Sequence, residues 1–297
     1  MQGRIIKGVG GSFIVRADEQ DYVCHAKGAL RYQKVRPLIG DMVEITPLEN
    51  EENAANIVEI LPRKNELIRP LVSNIDQAVI EFAAKDPMPS TYLLDKFLVQ
   101  MMYQKVPVII CINKIDLVNM DEARAFAGIY EKIGYRVLYV SAQTHEGLEN
   151  LKREIEGKTT VWAGPSGVGK SSIINLLAPE EKMETGVLSE KIKRGKNTTR
   201  HVQLLDCGNG DKLGTSTYVC DTPGFSSIDL PPIAPKELED YFEEFAEFIP
   251  GCRFRGCAHI GEWECGVKTA VRDGKISKSR YEDYKLFYEE LKSRIRY

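Results

Sequence analysis

A chain of 297 residues, 43% hydrophobic and 28% charged, carries enough apolar material for roughly two domain cores, or three small ones, which excludes a mainly disordered protein. Forty basic against 43 acidic side chains leave a net charge of −3, so no overall basicity advertises nucleic acid. No apolar run approaches the roughly 20 residues of a membrane helix, Val106–Ile112 being among the longest, and the opening MQGRIIKGVGGSF lacks the basic-then-apolar build of a signal peptide.

Residues 1 to 64 read as five short strands. RIIKGVGGSFIVRA is two runs joined at Gly10-Gly11, a hairpin signal, and DYVCHAKG, DMVEITPL and ANIVEIL follow between turn-like stretches. Such spacing predicts a small barrel of the OB type. Nine basic and nine acidic side chains cancel within this segment, so it carries little signal for RNA.

From residue 65 strands alternate with helices. AVIEFA, VPVIICI, RVLYVSA and TTVWAG predict buried strands, while TYLLDKFLVQMMYQ, DEARAFAGIYEKIG, GLENLKREIEG and SSIINLL carry helical periodicity. The alternation predicts a mostly parallel sheet covered on both faces. HVQLLDC and STYVCD flank a Gly-rich turn at 208–214 and predict a hairpin. Beyond Pro231-Pro232, residues 231–249 hold one basic and six acidic side chains and predict an acidic amphipathic helix. SRYEDYKLFYEELKSRI predicts a further helix within a basic C-terminal stretch.

Gly164-Pro165-Ser166-Gly167-Val168-Gly169-Lys170-Ser171 matches G-x-x-x-x-G-K-[ST], with an apolar strand entering it and a helix leaving it through Ser172. Its glycines let backbone N–H groups converge on phosphate oxygens at a helix N-terminus. Lys170 is expected to neutralise the β- and γ-phosphates and the Ser171 hydroxyl to ligate Mg²⁺. Asn113-Lys114-Ile115-Asp116 follows the strand VPVIICI, at the sheet edge where ligands bind. A carboxylate at Asp116 accepts from guanine N1–H and its exocyclic amine, whereas adenine would leave it unpaired. The Lys114 stem is expected to cover the base, Asn113 to brace the loop, and Ser141-Ala142 to add a backbone N–H for guanine O6.

Asp221-Thr222-Pro223-Gly224 matches D-x-x-G: Asp221 is expected to reach Mg²⁺ through water, and the Gly224 N–H to bind the γ-phosphate. Gly195-Lys-Asn-Thr198-Thr199-Arg200-His201 reads as a switch loop in which Thr199 contacts the metal and γ-phosphate. In most GTPases the phosphate loop precedes the base-reading motif. Here the order is reversed and D-x-x-G comes last, which predicts a circular permutation. The loop after D-x-x-G then runs straight into the C-terminal region.

Cys252, Cys257, His259 and Cys265 place three thiols and an imidazole within 14 residues, a set suited to tetrahedral, structural Zn²⁺. The remaining cysteines, Cys24, Cys111, Cys207 and Cys220, lie in strand-like runs and read as small core residues. An odd cysteine count with such a cluster favours metal over disulfides and a reducing cytoplasm.

Permuted GTPase motifs between an N-terminal barrel and a Cys/His cluster resemble the ribosome small subunit-dependent GTPase A family over essentially the whole chain. The resemblance implies a circularly permuted P-loop GTPase domain at 65–230, an OB-type β-barrel at 1–64 and an α-helical zinc-binding domain at 231–297. It further implies a cytoplasmic GTPase acting in late maturation of the small (30S) ribosomal subunit, stimulated by that particle, with the barrel and zinc domains holding it there. Local basic patches fit an rRNA partner: residues 182–201 hold six basic and two acidic side chains, and residues 268–297 nine and five. A monomer is expected. Phe225 occupies the position after D-x-x-G where Ras-like enzymes carry a water-orienting glutamine. Where the family often has a histidine before its switch threonines this chain has Asn197, which leaves Asn197 and His201 as candidates to position water. These departures give weight to an alternative, an RNA-binding assembly scaffold that uses GTP as a structural or switch ligand with negligible turnover.

Overall fold

A computed structural model describes residues 1–9, 11–26, 36–49, 51–68, 70–178, 202–208, 216–221 and 228–294. Five strands form the N-terminal barrel: β1 (Gln2–Val9), β2 (Ser12–Ala17), β3 (Gln20–Ala26), β4 (Met42–Pro47) and β5 (Ala54–Ile60). They close in the order β1-β2-β3-β5-β4-β1, antiparallel except for the parallel pair β3–β5. Alternation along each strand sends Ile5, Val15, Cys24, Val43, Ile45 and Ile57 inward to one core. At Gly3 a Cβ would stand 2.5 Å from Val15 Cγ1 and 2.9 Å from the Arg16 carbonyl, so only glycine admits β2 this closely.

The second sheet contains β6 (Gln77–Ala83), β7 (Val108–Asn113), β8 (Arg136–Tyr139), β9 (Thr159–Ala163), β10 (Gln203–Asp206) and β11 (Tyr218–Asp221). Its spatial order is β10-β11-β9-β6-β7-β8, parallel but for the hairpin β10–β11. One face buries Leu94, Phe97 and Met101 of α1 (Thr91–Tyr103) with Ala123, Ala127 and Tyr130 of α2 (Met120–Lys132). The other buries Leu148, Leu151 and Ile155 of α3 (Leu148–Ile155) with Ile173, Ile174 and Leu177 of α4 (Lys170–Leu177). Both faces are covered, as the continuous apolar strand runs require. The permutation is visible in this order. β9, which leads into the phosphate loop, sits centrally between the earlier β6 and the later β11.

The sequence places the barrel and the α/β sheet in separate domains, and β1 also pairs with β10 at Lys7↔Gln203, so all eleven strands are joined in one hydrogen-bonded sheet. A bulge between Ile5 and Lys7 lets β1 serve both. Ile5 enters the barrel core and Ile6 the core beneath α1 and α2. Polar contacts reinforce the seam: Arg16 Nη1 lies 3.0 Å from Asp206 Oδ2, and Arg4 Nη1 donates to Thr159 Oγ1 at 2.7 Å.

The C-terminal region departs from expectation. Residues 231–249 form no α-helix; short 3₁₀ segments run over Pro235–Tyr241, Glu243–Phe245 and Ile249–Gly251. Phe242, at φ −121° and ψ 76°, breaks the run. That break sets both Phe242 and Phe245 against Tyr284, and lets Glu239 and Glu244 reach different partners. Tertiary packing overrides a periodicity that six carboxylates already weaken by mutual repulsion. Two helices follow, α5 (Gly266–Arg272), which the sequence reading misses, and α6 (Lys278–Arg294). α6 docks on α1: the buried Arg280 guanidinium pairs with Asp95 and grips both oxygens of Glu244, while Lys96 reaches Glu290 at 2.8 Å. Cys24, Cys111 and Cys220 are buried strand residues as expected; Cys207 lies just past β10 and is half-buried.

Candidate nucleotide site and metal centre

The carboxyl ends of β6, β7 and β9 converge at one sheet edge. Gly164 leaves β9 at φ 146°, where a Cβ would meet the Glu81 carbonyl at 2.1 Å; Gly169 has φ 112°, and its Cβ would meet Asn113 Nδ2 at 2.3 Å. The phosphate loop can therefore lie this close to β6 and β7 only with glycine at these two positions. Between them Pro165 is half-buried, Ser166 and Gly167 are exposed, and Val168 is buried. No side chain caps α4, and the Ser172 and Ile173 N–H groups close its first turn on the Gly169 carbonyl. Lys170 Nζ donates to the Gly164 and Pro165 carbonyls at 2.8 and 2.6 Å, Ser171 is half-buried, and Ser172 is exposed.

Asn113 ends β7 fully buried, and both ends of its amide are engaged. Oδ1 accepts from the Lys114 and Ala142 N–H groups at 2.7 and 3.1 Å; Nδ2 donates to the Val168 carbonyl at 3.1 Å and to Glu81 Oε1 at 2.9 Å. This fixes the amide in one orientation. It also engages the Ala142 N–H, one of the backbone groups of Ser141-Ala142 expected near guanine O6, with the Asn113 side chain. Lys114 adopts a left-handed conformation, φ 60°, and opens a 3₁₀ turn over Ile115–Leu117 that presents the exposed Asp116. Ser141, buried, donates from Oγ to Asp116 Oδ1 at 2.5 Å. Lys114 Nζ donates to the Gly167 carbonyl at 2.7 Å and to the Asp86 carbonyl. The base-reading loop and the phosphate loop, more than 50 residues apart, are thus hydrogen-bonded to each other at two points.

Sequence reasoning misses Glu81, the one charged residue of a strand whose seven residues are all buried. Its carboxylate accepts from Asn113 Nδ2 and, at 2.7 Å, from Trp162 Nε1. Burial pushes its pKa up to about 7, against the lowering effect of the two hydrogen bonds and of Lys170 and Lys114. The available signal was the acid inside AVIEFA, a local violation of apolar patterning. Asp221 ends β11 beside Trp162 of β9, at the same sheet edge. Asn197, Thr198, Thr199, His201, Gly224 and Phe225 lie outside the described residues.

The Cys252, Cys257, His259 and Cys265 ligand atoms all lie within 4.8 Å of one another. Cys252 and Cys265 Sγ are 3.8 Å apart and His259 Nδ1 is 3.3 Å from Cys265 Sγ. Zinc–sulfur bonds of about 2.3 Å in a tetrahedron set sulfurs about 3.8 Å apart, so the donor set fits that ion. His259 Nε2 faces Glu239 Oε2 at 2.7 Å, which fixes Nδ1 as the inward atom. The loop is braced further. Glu262 accepts the Ala258 and Ile260 N–H groups, and Tyr281 and Tyr284 donate to the His259 and Ala258 carbonyls. Burial raises the Cys265 thiol pKa and pushes that of Cys257 up to about 12, so a cation here must displace protons. The sequence reading contains the four ligands but not Glu239.

Comparison with known proteins fits this architecture. The RsgA GTPase family model matches residues 60–231, and the RsgA N-terminal domain model matches residues 2–55. The chain is 50% identical to the small ribosomal subunit biogenesis GTPase RsgA of Agathobacter rectalis over the full length of both. It is 45% identical to the protein of that name from Alkaliphilus metalliredigens, covering 100% of this chain and 99% of the relative. Among solved structures, YjeQ from Thermotoga maritima superposes with a TM-score of 0.79 at 36% identity, covering 98% of each chain. YloQ, described as a circularly permuted GTPase, gives 0.77 at 37% identity, covering 99% of this chain and 95% of that one. With its strand order permuted, its barrel closed and its Cys/His cluster assembled, the chain belongs to the RsgA GTPase family and is a GTPase.

Proposed function

We propose that this GTPase acts in late maturation of the small ribosomal subunit and is stimulated by that particle, in the cytoplasm and as a monomer. The relatives' names supply the process. The observation that carries the nucleotide reading is the pair of hydrogen bonds joining Asn113 and Lys114 to the phosphate loop, because one ligand spanning both loops must hold a base and phosphates together. Asp116 and Ser141 face guanine, with Asn113, Lys114 and Ala142 shaping its pocket. Gly164, Pro165, Ser166, Gly167, Val168, Gly169, Lys170, Ser171 and Ser172 wrap the phosphates. Ser171, Thr199 and, through water, Asp221 hold Mg²⁺; Gly224 meets the γ-phosphate, and Asn197 or His201 positions the attacking water. Mg²⁺ supplies charge neutralisation at the phosphates when bound. Zn²⁺ at Cys252, Cys257, His259 and Cys265 is structural, since four protein ligands leave no open position. The barrel (1–64) and zinc domain (231–297) flank the GTPase domain (65–230) as contacts for rRNA, whose phosphates suit the basic stretch at 268–297.

Asp116→Asn tests the nucleotide reading: replacing one acceptor oxygen with a donor should weaken GDP at least about tenfold and strengthen XDP, whose base presents an acceptor that the carboxylate opposes and the new donor matches. Undiminished GDP binding would refute it. GTP hydrolysis measured with and without 30S particles tests the partner. Stimulation is expected, and its absence would favour the scaffold alternative.

A further inference from the structure

Three buried polar groups meet beneath the phosphate loop: the Glu81 carboxylate, the Asn113 amide and the Trp162 indole N–H. The Glu81 main chain lies against Gly164, its Oε1 would stand 3.4 Å from a Cβ at Gly169, and its Oε1 and Oε2 each take one N–H donor. We propose that Glu81 is a positioning residue for guanine-nucleotide binding, whose carboxylate locks the base-reading loop to β9, the strand that leads into the phosphate loop, by accepting from Asn113 and Trp162 together. The inference rests on the nucleotide reading of the site above. Asn113 Oδ1 already accepts two backbone N–H groups, so the amide cannot flip, and its Nδ2 must find two acceptors. Val168 supplies one and Glu81 the other. Trp162 Nε1 is a donor only, so the group facing both must present two acceptors. An ionised carboxylate does this. A carboxylic acid or carboxamide turns one oxygen position into a donor that opposes an N–H. The charged and titratable groups around Glu81 are Lys170 on α4, Lys114 after β7 and the Cys111 thiol on β7; β9 contributes the non-titrating indole. Burial pushes its pKa up to about 7.

The test is the pH profile of GDP affinity for the full-length protein. Wild-type affinity should fall from pH 8 to pH 6 more steeply than that of Glu81→Gln, because only the wild type loses an acceptor on protonation; protonation of GDP itself affects both alike. At pH 8 Glu81→Gln should bind GDP about tenfold more weakly. Adding Trp162→Phe removes the competing donor and frees the carbonyl oxygen of the introduced carboxamide for Asn113, so Glu81→Gln/Trp162→Phe should recover most of that loss. A merely structural role for Glu81 predicts no such rescue. Wild-type affinity and slope in Glu81→Gln, or no rescue in the double variant, would overturn the proposal. Should Glu81→Gln fail to fold, the double variant's slope decides: flatter supports the lock and a wild-type slope refutes it. Asp116→Asn run alongside separates the two levels, since undiminished GDP binding there sinks the nucleotide reading itself, whereas weakened binding there with a silent Glu81→Gln sinks only the lock.

Discussion

The nucleotide site and the Cys/His cluster solve the same problem, holding several polar groups in one geometry, in opposite ways. The cluster draws its ligands from 14 consecutive residues, and its geometry is set by one loop braced by Glu262, Tyr281 and Tyr284. The nucleotide site draws on β6, β7, β9 and the loops that follow, and is knitted by bonds such as Asn113 to Val168 and Lys114 to Gly167. The cluster is thus a local arrangement that a bound ion would complete, whereas the nucleotide site is framed by the sheet beneath it. What each tolerates should differ accordingly.

The largest expected effect lies in the cluster. Ion binding at a structural zinc site contributes on the order of 10 kcal/mol. Cys257→Ser, or chelation of the wild type, should release residues 231–294 to proteolysis while residues 65–178 stay protected, read by limited digestion with mass spectrometry; equal protection throughout would erase the contrast. A smaller effect belongs to the nucleotide site. Glu81 has a folded-state pKa of about 7, above the ordinary 4.5, so between these values the folded protein holds a proton that the unfolded chain has released. Stability contributed by that proton is present below pH 4.5 and is lost as pH rises through 7. Wild-type protein without nucleotide should lose roughly 2–3 kcal/mol relative to Glu81→Gln between pH 5 and pH 8, measured by denaturant unfolding. The ionised form thus costs stability where the proposed binding role needs it, a trade expected of functional groups. The smallest effect returns to the cluster. Glu239→Gln leaves every ligand in place but weakens the partner that orients His259, and should lower zinc affinity about tenfold in a competition titration.

Legibility in the sequence followed the same divide. The four cluster ligands, the phosphate loop and the base-reading loop were readable because each is a short run with fixed chemical spacing. The five barrel strands and the helices over 91–103, 120–132, 148–155, 170–177 and 278–294 were readable from period, since turn residues punctuate them. The 3₁₀ region after Pro235 was not, because Leu238, Phe242 and Phe245 fit a helical period equally well. Glu239 stayed hidden for a related reason: its partner His259 lies 20 residues on, brought near by the Phe242 break.

By itself the sequence determined the motifs and their order: a phosphate-loop pattern, an NKID run at a strand end, three thiols and an imidazole within 14 residues, and a permuted arrangement of the GTPase segments. Those are properties of short segments, whose residue types restrict backbone and donors locally. Tertiary structure alone decided that barrel and α/β sheet share one continuous ladder through β1 and β10, and that a glutamate in the central strand bridges Asn113 and Trp162. Burial is the physical reason. A lone acid among apolar residues has no assigned partner until strands 81 residues apart bring it the indole and solvent is gone.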